Sequence, residues 1–212
     1  DVEYSPVTTT ADLEALVKEL STPDGFAFDT ETSGVNPMEA DLVGVSFSNA
    51  EGRAWYVPVG HFPPPEPDAD SEEDGEEVAP QEQIPLAQAL DAMRAMFANP
   101  DIPKTAHNAN FDVMVMNHAG LEVNGVDFDT MIAAALTGRR QIGLKQLALD
   151  FFQVEMTPIS ALIGTGRKQI TMAAVPIDKA APYAAADADF TWRLRRDLNP
   201  RLDTDEARPV FD

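Results

Sequence analysis

The stretch Gly25–Val35, GFAFDTETSGV, decides how the chain is read. Aromatic and β-branched residues fill it and glycines bracket it, so its composition predicts a buried strand. Two carboxylates, Asp29 and Glu31, stand near its end. Side chains at i and i+2 of a strand face the same way, so both acids point to one face at the edge of a sheet. An unpaired acid there is expensive, because desolvating a charge costs far more than a hydrogen bond returns. Something outside the strand has to hold them.

Working outward, LVGVSFS (42–48) and AWYVPV (54–59) continue as strands, and with the first they form an expected antiparallel meander. Before them, TTADLEALVKEL (9–20) has a Thr/Asp start and apolar residues at Leu13, Leu16, Val17 and Leu20, the spacing of a helix. After them, PLAQALDAMRAMFAN (85–99) reads as an amphipathic helix, and PKTAHN (103–108) as a short strand entering a helix, ANFDVMVMNHAG (109–120). VDFDTMIAAALTG (126–138) is a strand end followed by a helix, GLKQLALDFF (143–152) a further helix, and IGTGRKQI (163–170) a Gly-rich loop. A long final helix is expected over DKAAPYAAADADFTWRLRRDL (178–198), where Arg193, Arg195 and Arg196 suit the negative end of a helix dipole. Strands first, then alternating strands and helices, give an α/β domain with a mixed sheet.

The 212 residues suffice for one sizeable domain. There is no cysteine, which excludes disulfides, thiolate metal sites and thiol catalysis and fits a cytoplasmic setting. No run of about 18 apolar residues suggests a membrane span. The chain opens on Asp1 rather than Met and is expected to be a piece of a longer polypeptide. Its net charge of -21 argues against a free-standing, tight DNA binder. Eight acids and no base lie between Glu66 and Glu77, and the Pro-rich segment 66–83 around them is expected to be a solvated, mobile loop.

Three further patterns join the opening one. HNANFD ends at Asp112 in the first turn of a helix, Tyr183 and Asp187 stand i, i+4 on one helical face, and Asp129 precedes TMIAAAL. Taken singly, each has an ordinary explanation: a solvated pair, a surface acid, a core tyrosine, a helix cap. His107 reads as a hydrogen-bonded structural side chain with metal ligation as the alternative, and His61 and His118 have no partner that the sequence names. Together, Asp29, Glu31, Asp112 and Asp187 cannot share a pocket as free anions, because like charges raise one another's pKa. Divalent cations remove the conflict, and all-oxygen donors suit Mg²⁺ or Mn²⁺ better than zinc. Two such ions about 4 Å apart serve phosphodiester cleavage.

FDTET, HNANFD and YAAADAD, in that order, resemble the three motifs of the DEDD 3′–5′ exonucleases, in the subclass with Tyr in the third motif. The intervening LVGVSFS, AWYVPVGH, GVDFDTM, GLKQLAL and GTGRKQIT resemble the proofreading domain of bacterial family A DNA polymerases, from about Phe26 to Leu198. The resemblance implies a ribonuclease H-like fold with a five-stranded mixed sheet flanked by helices. It implies an exonuclease domain over 1–198, and over 199–212 the start of a link to a polymerase domain. It implies that Asp29, Glu31 and Asp187 bind one metal, that Asp29 bridges to a second, and that Asp112 holds the second through water. Tyr183 and Glu31 orient the attacking water on this pattern, and Val35 is placed as an apolar wedge against the terminal base. Asn108 is a candidate contact to sugar or phosphate. Arg167 and Lys168, beside glycines, are candidate phosphate contacts, with plain surface residues as the alternative. The expected partners are a single-stranded DNA 3′ end and a polymerase domain of the same chain, with no membrane, in a monomer. Two other readings share the features: an RNase D-like exoribonuclease, and a non-catalytic module supporting a polymerase.

Overall fold

The computed structural model describes residues 2–62 and 82–212. Most of the expected acidic loop, through residue 81, therefore lies outside the described residues. In chain order the elements are β1 (Glu3–Pro6), α1 (Thr10–Leu20), β2 (Phe26–Thr32), β3 (Leu42–Ala50), β4 (Arg53–Pro58), α2 (Leu86–Ala98), β5 (Lys104–Ala106), α3 (Ala109–His118), β6 (Val126–Asp129), α4 (Thr130–Leu136), α5 (Leu144–Phe152), α6 (Ser160–Ile163), α7 (Ile177–Thr204) and α8 (Arg208–Phe211).

The sheet has six strands in the order β1-β4-β3-β2-β5-β6. Strands β2, β3 and β4 form the antiparallel meander, while β5, β6 and β1 join in parallel. The expected five strands miss β1. Its four residues, EYSP, carry no buried alternation, so nothing local marks them. The strand exists because it pairs with β4, some 50 residues away, and because the Tyr4 hydroxyl donates to Asp189 at 2.6 Å. Its Pro6 is tolerable on an edge strand, where a missing N–H breaks no ladder.

Alternation along β2 sorts its side chains between two layers. Phe26 and Phe28 turn to one face and pack edge-to-face with Phe97 of α2, at centroid distances of 5.7 and 5.2 Å. Leu13, Leu16 and Leu20 of α1 and Met93 and Met96 of α2 complete that core. Asp29 and Glu31 turn to the other face, which α7 crosses. On that side Gly44 of β3 lies opposite Glu31. A Cβ on Gly44 would stand 2.2 Å from the Tyr56 hydroxyl, so the phenol lies directly over this glycine. Tyr56 bonds His61 Nε2 at 2.8 Å, and His61 Nδ1 bonds the Val175 carbonyl at 2.8 Å. These are the partners the sequence did not name for His61.

Helix α7 runs to Thr204, past the expected end at Leu198 and through Pro200. Leu194, Leu198 and Leu202 recur every four residues and bury against Phe128 and Leu147, so packing outweighs the proline. The arginines are consequently not at the helix end, and the dipole, which acts within the last turn, does not account for them. Acids do: Arg193 pairs with Asp189 and Glu51, Arg195 with Asp127, and Arg196 with Glu51 and Asp197.

Candidate active site

Strand β2 ends in a cleft of about 790 Å³ that Asp29, Glu31, Asp112, Tyr183 and Asp187 all line. Carboxylate oxygens of Asp29, Glu31 and Asp187 lie within 4.8 Å of one another. Their elements explain the meeting: the alternation of β2 aims Asp29 and Glu31 at α7, and the four-residue spacing on α7 puts Asp187 and Tyr183 on the face that receives them. Asp112 enters from the first turn of α3 and is not part of that trio. The backbone N–H and the hydroxyl of Thr30 both donate to one of its oxygens, at 2.9 and 2.7 Å.

Burial pushes all four carboxylates above their ordinary range. Asp29 rises well above it through desolvation, then through the charges of Asp112, Asp187 and Glu31. Glu31 rises through desolvation and Asp187. Asp112 is raised by burial to about 7 although the Thr30 bonds favour its anion, and burial lifts Asp187 to about 6 against the help of Lys145 and Tyr183. The Tyr183 phenol is raised by burial and by the nearby acids, so it stays protonated. Four carboxylates whose charge the fold only partly offsets suit a divalent cation with oxygen ligands.

The other sequence-predicted residues sit at different depths. Val35 lines the cleft mouth and is 94% exposed. Asn108 also lines it, exposed and left-handed at φ 65°. Asp129 stabilises that turn: it accepts from the N–H groups of Asn108 and Ala109 as well as from Met131 and Ile132, so one carboxylate caps α3 and α4 together. The cap reading covered only the second half of this. Arg167 and Lys168 occupy a short 3₁₀ turn (Gly166–Lys168) and are exposed. Their neighbour Gly166 lines the cleft, whereas they do not. His107 also lines the cleft, with Nδ1 2.8 Å from the Thr130 hydroxyl as the hydrogen-bonded reading expects, and burial lowers its pKa to about 4.

Residues 4–203 match a sequence family described as 3′–5′ exonuclease. The chain belongs to that family. The exonuclease domain is 43% identical, over 97% of its length, to DNA polymerase I of Chloroflexus aurantiacus, of which it covers 20%. It thus spans about a fifth of the length of the curated relatives it matches. Among solved structures it superposes on Escherichia coli RNase D with a TM-score of 0.69 at 18% identity, covering 99% of the domain and 48% of that chain. It superposes on Brucella melitensis NrnC with bound Mg²⁺ with a TM-score of 0.62 at 23% identity, covering 91% and 80%. These likenesses show a ribonuclease H-like α/β fold. No helix among the described residues is long and apolar enough to cross a membrane.

One residue beside the site escaped sequence reasoning. Lys145, on α5, brings its ammonium group to 3.4 Å from Asp187 Oδ1 and 3.3 Å from the Tyr183 hydroxyl. It also lies 4.4 Å from the centre of the Tyr183 ring. In sequence it is a lone base on an amphipathic helix, and no spacing links it to the third motif.

Proposed function

We propose that the domain hydrolyses the terminal phosphodiester of a single-stranded or mispaired DNA 3′ end, as the proofreading domain of a DNA polymerase I. The single observation that carries this reading is the meeting of Asp29, Glu31 and Asp187 within 4.8 Å in the cleft of a 3′–5′ exonuclease-family chain. Asp29, Glu31 and Asp187 would hold one divalent cation, Asp29 and Asp112 a second, with Mg²⁺ the expected ion and Mn²⁺ a substitute. When bound, the ions supply charge neutralisation at the phosphate and raise the acidity of water.

The chain's own residues do the positioning. Tyr183, protonated, and Glu31 orient the attacking water in line with the leaving 3′ oxygen. A phenol with a raised pKa serves as a hydrogen-bonding guide and not as a base. Val35 meets the terminal base as an apolar wedge, and Asn108 contacts sugar or phosphate. Arg167 and Lys168, outside the cleft lining, are assigned to phosphates of the strand as it enters. The rest of the chain's architecture follows the same reading: a catalytic unit over 1–198, with 199–212, whose Leu202 still packs into the same core, leading to a polymerase domain that it serves as a monomer in the cytoplasm.

DNA is preferred to RNA because the 43% identical relative is a DNA polymerase, whereas the RNase D likeness is one of fold. The experiment is hydrolysis of matched DNA and RNA oligonucleotides with 3′ label, in Mg²⁺, in Mn²⁺ and in excess chelator. Loss of DNA 3′ ends that chelator stops is expected. Equal rates with and without chelator would remove the cation reading, and faster RNA cleavage would favour the exoribonuclease.

A further inference from the structure

The cleft gathers four acids, and Lys145 is the cation whose field reaches three of them: it stabilises the anions of Asp29, Glu31 and Asp187. Three other bases of the sheet and α7 are engaged elsewhere. Lys104 donates to the carbonyls of Asn99 and Ile102, Arg193 binds Asp189, and Arg195 binds Asp127. Lys145 instead spans the two residues of α7 that face β2, touching Asp187 and the Tyr183 hydroxyl and covering the ring. Its side chain remains 35% exposed and is not part of the cleft lining, so its ammonium reaches the two residues of α7 from outside that lining.

We infer that Lys145 is a positioning residue of the hydrolysis: it fixes the Tyr183 hydroxyl by a hydrogen bond and holds down the affinity of the acidic cluster for cations. This rests on the proposed function above for its catalytic half only. A phenol on a long helix can rotate about its Cα–Cβ bond, and a charged donor on its oxygen plus a cation over its ring locate that oxygen, which is what orienting a water requires. An ammonium 3.4 Å from Asp187 also competes electrostatically with any cation the same carboxylate binds. The two effects have opposite signs in a variant. Removing the charge should make the cluster bind cations more tightly while making the enzyme slower. A lysine that only props up the helix would weaken both.

The test uses Lys145→Met, which keeps the stem, and Lys145→Arg, which keeps the charge. Calorimetric titration with Mn²⁺ in the absence of DNA should show Lys145→Met binding the ion about ten-fold more tightly than wild type, the order expected on removing a like charge a few ångströms from a ligand carboxylate. Cleavage of a 3′-labelled oligonucleotide should show kcat down by about ten- to a hundred-fold with KM within about three-fold. Lys145→Arg should restore most of kcat. Adding Lys145→Met to Tyr183→Phe should cost little beyond the single tyrosine change, because both remove one coupled interaction. Unchanged or weaker Mn²⁺ binding by Lys145→Met would overturn the electrostatic half. A full, multiplicative loss in the double variant would overturn the positioning half. If Lys145→Met fails to fold, Lys145→Gln, neutral and polar, carries the same comparisons. If the wild type itself proves inactive, the function is wrong, and the Mn²⁺ titration still decides the electrostatic half.

Discussion

Two aspartates two residues apart on α7 should respond oppositely to the same change. Asp189 has a side chain with no solvent exposure. It accepts from the Tyr4 hydroxyl at 2.6 Å, the Gly52 N–H at 2.9 Å, and Arg193 at 2.9 Å from Nε and 2.5 Å from Nη2. One carboxylate therefore ties β1, the β3–β4 turn and α7 together. In Asp189→Asn an amide N–H₂ must face one of these donors, and Arg193 loses its buried counter-ion. Breaking such a pair from one side costs about 3–5 kcal/mol, a large share of the ~5–15 kcal/mol that holds a domain folded. Asp187 is the reverse case. Its folded pKa, about 6, stands above the ordinary 3.8, so its contribution is fully present below about pH 4 and is lost as pH rises through 6. At pH 8 its ionisation removes about 3 kcal/mol, the free-energy equivalent of that shift. Without cations, Asp187→Asn should therefore raise stability by up to about 3 kcal/mol at pH 8 and by less than about 1 kcal/mol at pH 4. Urea unfolding followed by circular dichroism, in excess chelator at both pH values, measures both variants. An Asp189→Asn loss below about 1 kcal/mol, or an Asp187→Asn loss at pH 8, would refute the assignment of these neighbours to scaffold and cleft.

Asp29→Ala should abolish cleavage of a DNA 3′ end, since Asp29 is assigned to both cations, while Tyr183→Phe should leave a measurable rate; wild-type activity in Asp29→Ala would show the site is misassigned. Deleting Pro64–Glu77 should leave fold and turnover nearly unchanged, because the described residues on either side are anchored independently: the Phe62 N–H donates to the Ala173 carbonyl, and Gln83 exchanges bonds with the His61 backbone. A melting profile and kcat for the deleted chain check this, and a collapsed kcat on an intact fold would contradict it. With a net charge of -21, the isolated domain should bind a labelled single strand weakly, with a shallow dependence on salt, measured in Ca²⁺ to slow cleavage. Tight binding that falls steeply with salt would point instead to many phosphate contacts.

The sequence by itself determined whatever repeats along the backbone. Period two on β2 separated Phe26 and Phe28 from Asp29 and Glu31, and period 3.6 on α7 aligned Tyr183 with Asp187. Asp129 before TMIAAAL announced a helix start. These are local matters, settled by chirality, spacing and caps within a few residues. Tertiary structure alone decided the rest. Strand β1 exists through pairing with β4, α7 continues through Pro200 because Leu202 finds a core, and Asp129 caps a second helix that β5 delivers to it. The arginines of α7 answer Asp189, Glu51 and Asp127, and not the helix dipole. Lys145 reaches Tyr183 across 38 residues of chain. A side chain's neighbours at such separations are set by how the layers pack, and no periodicity in its own segment carries that information.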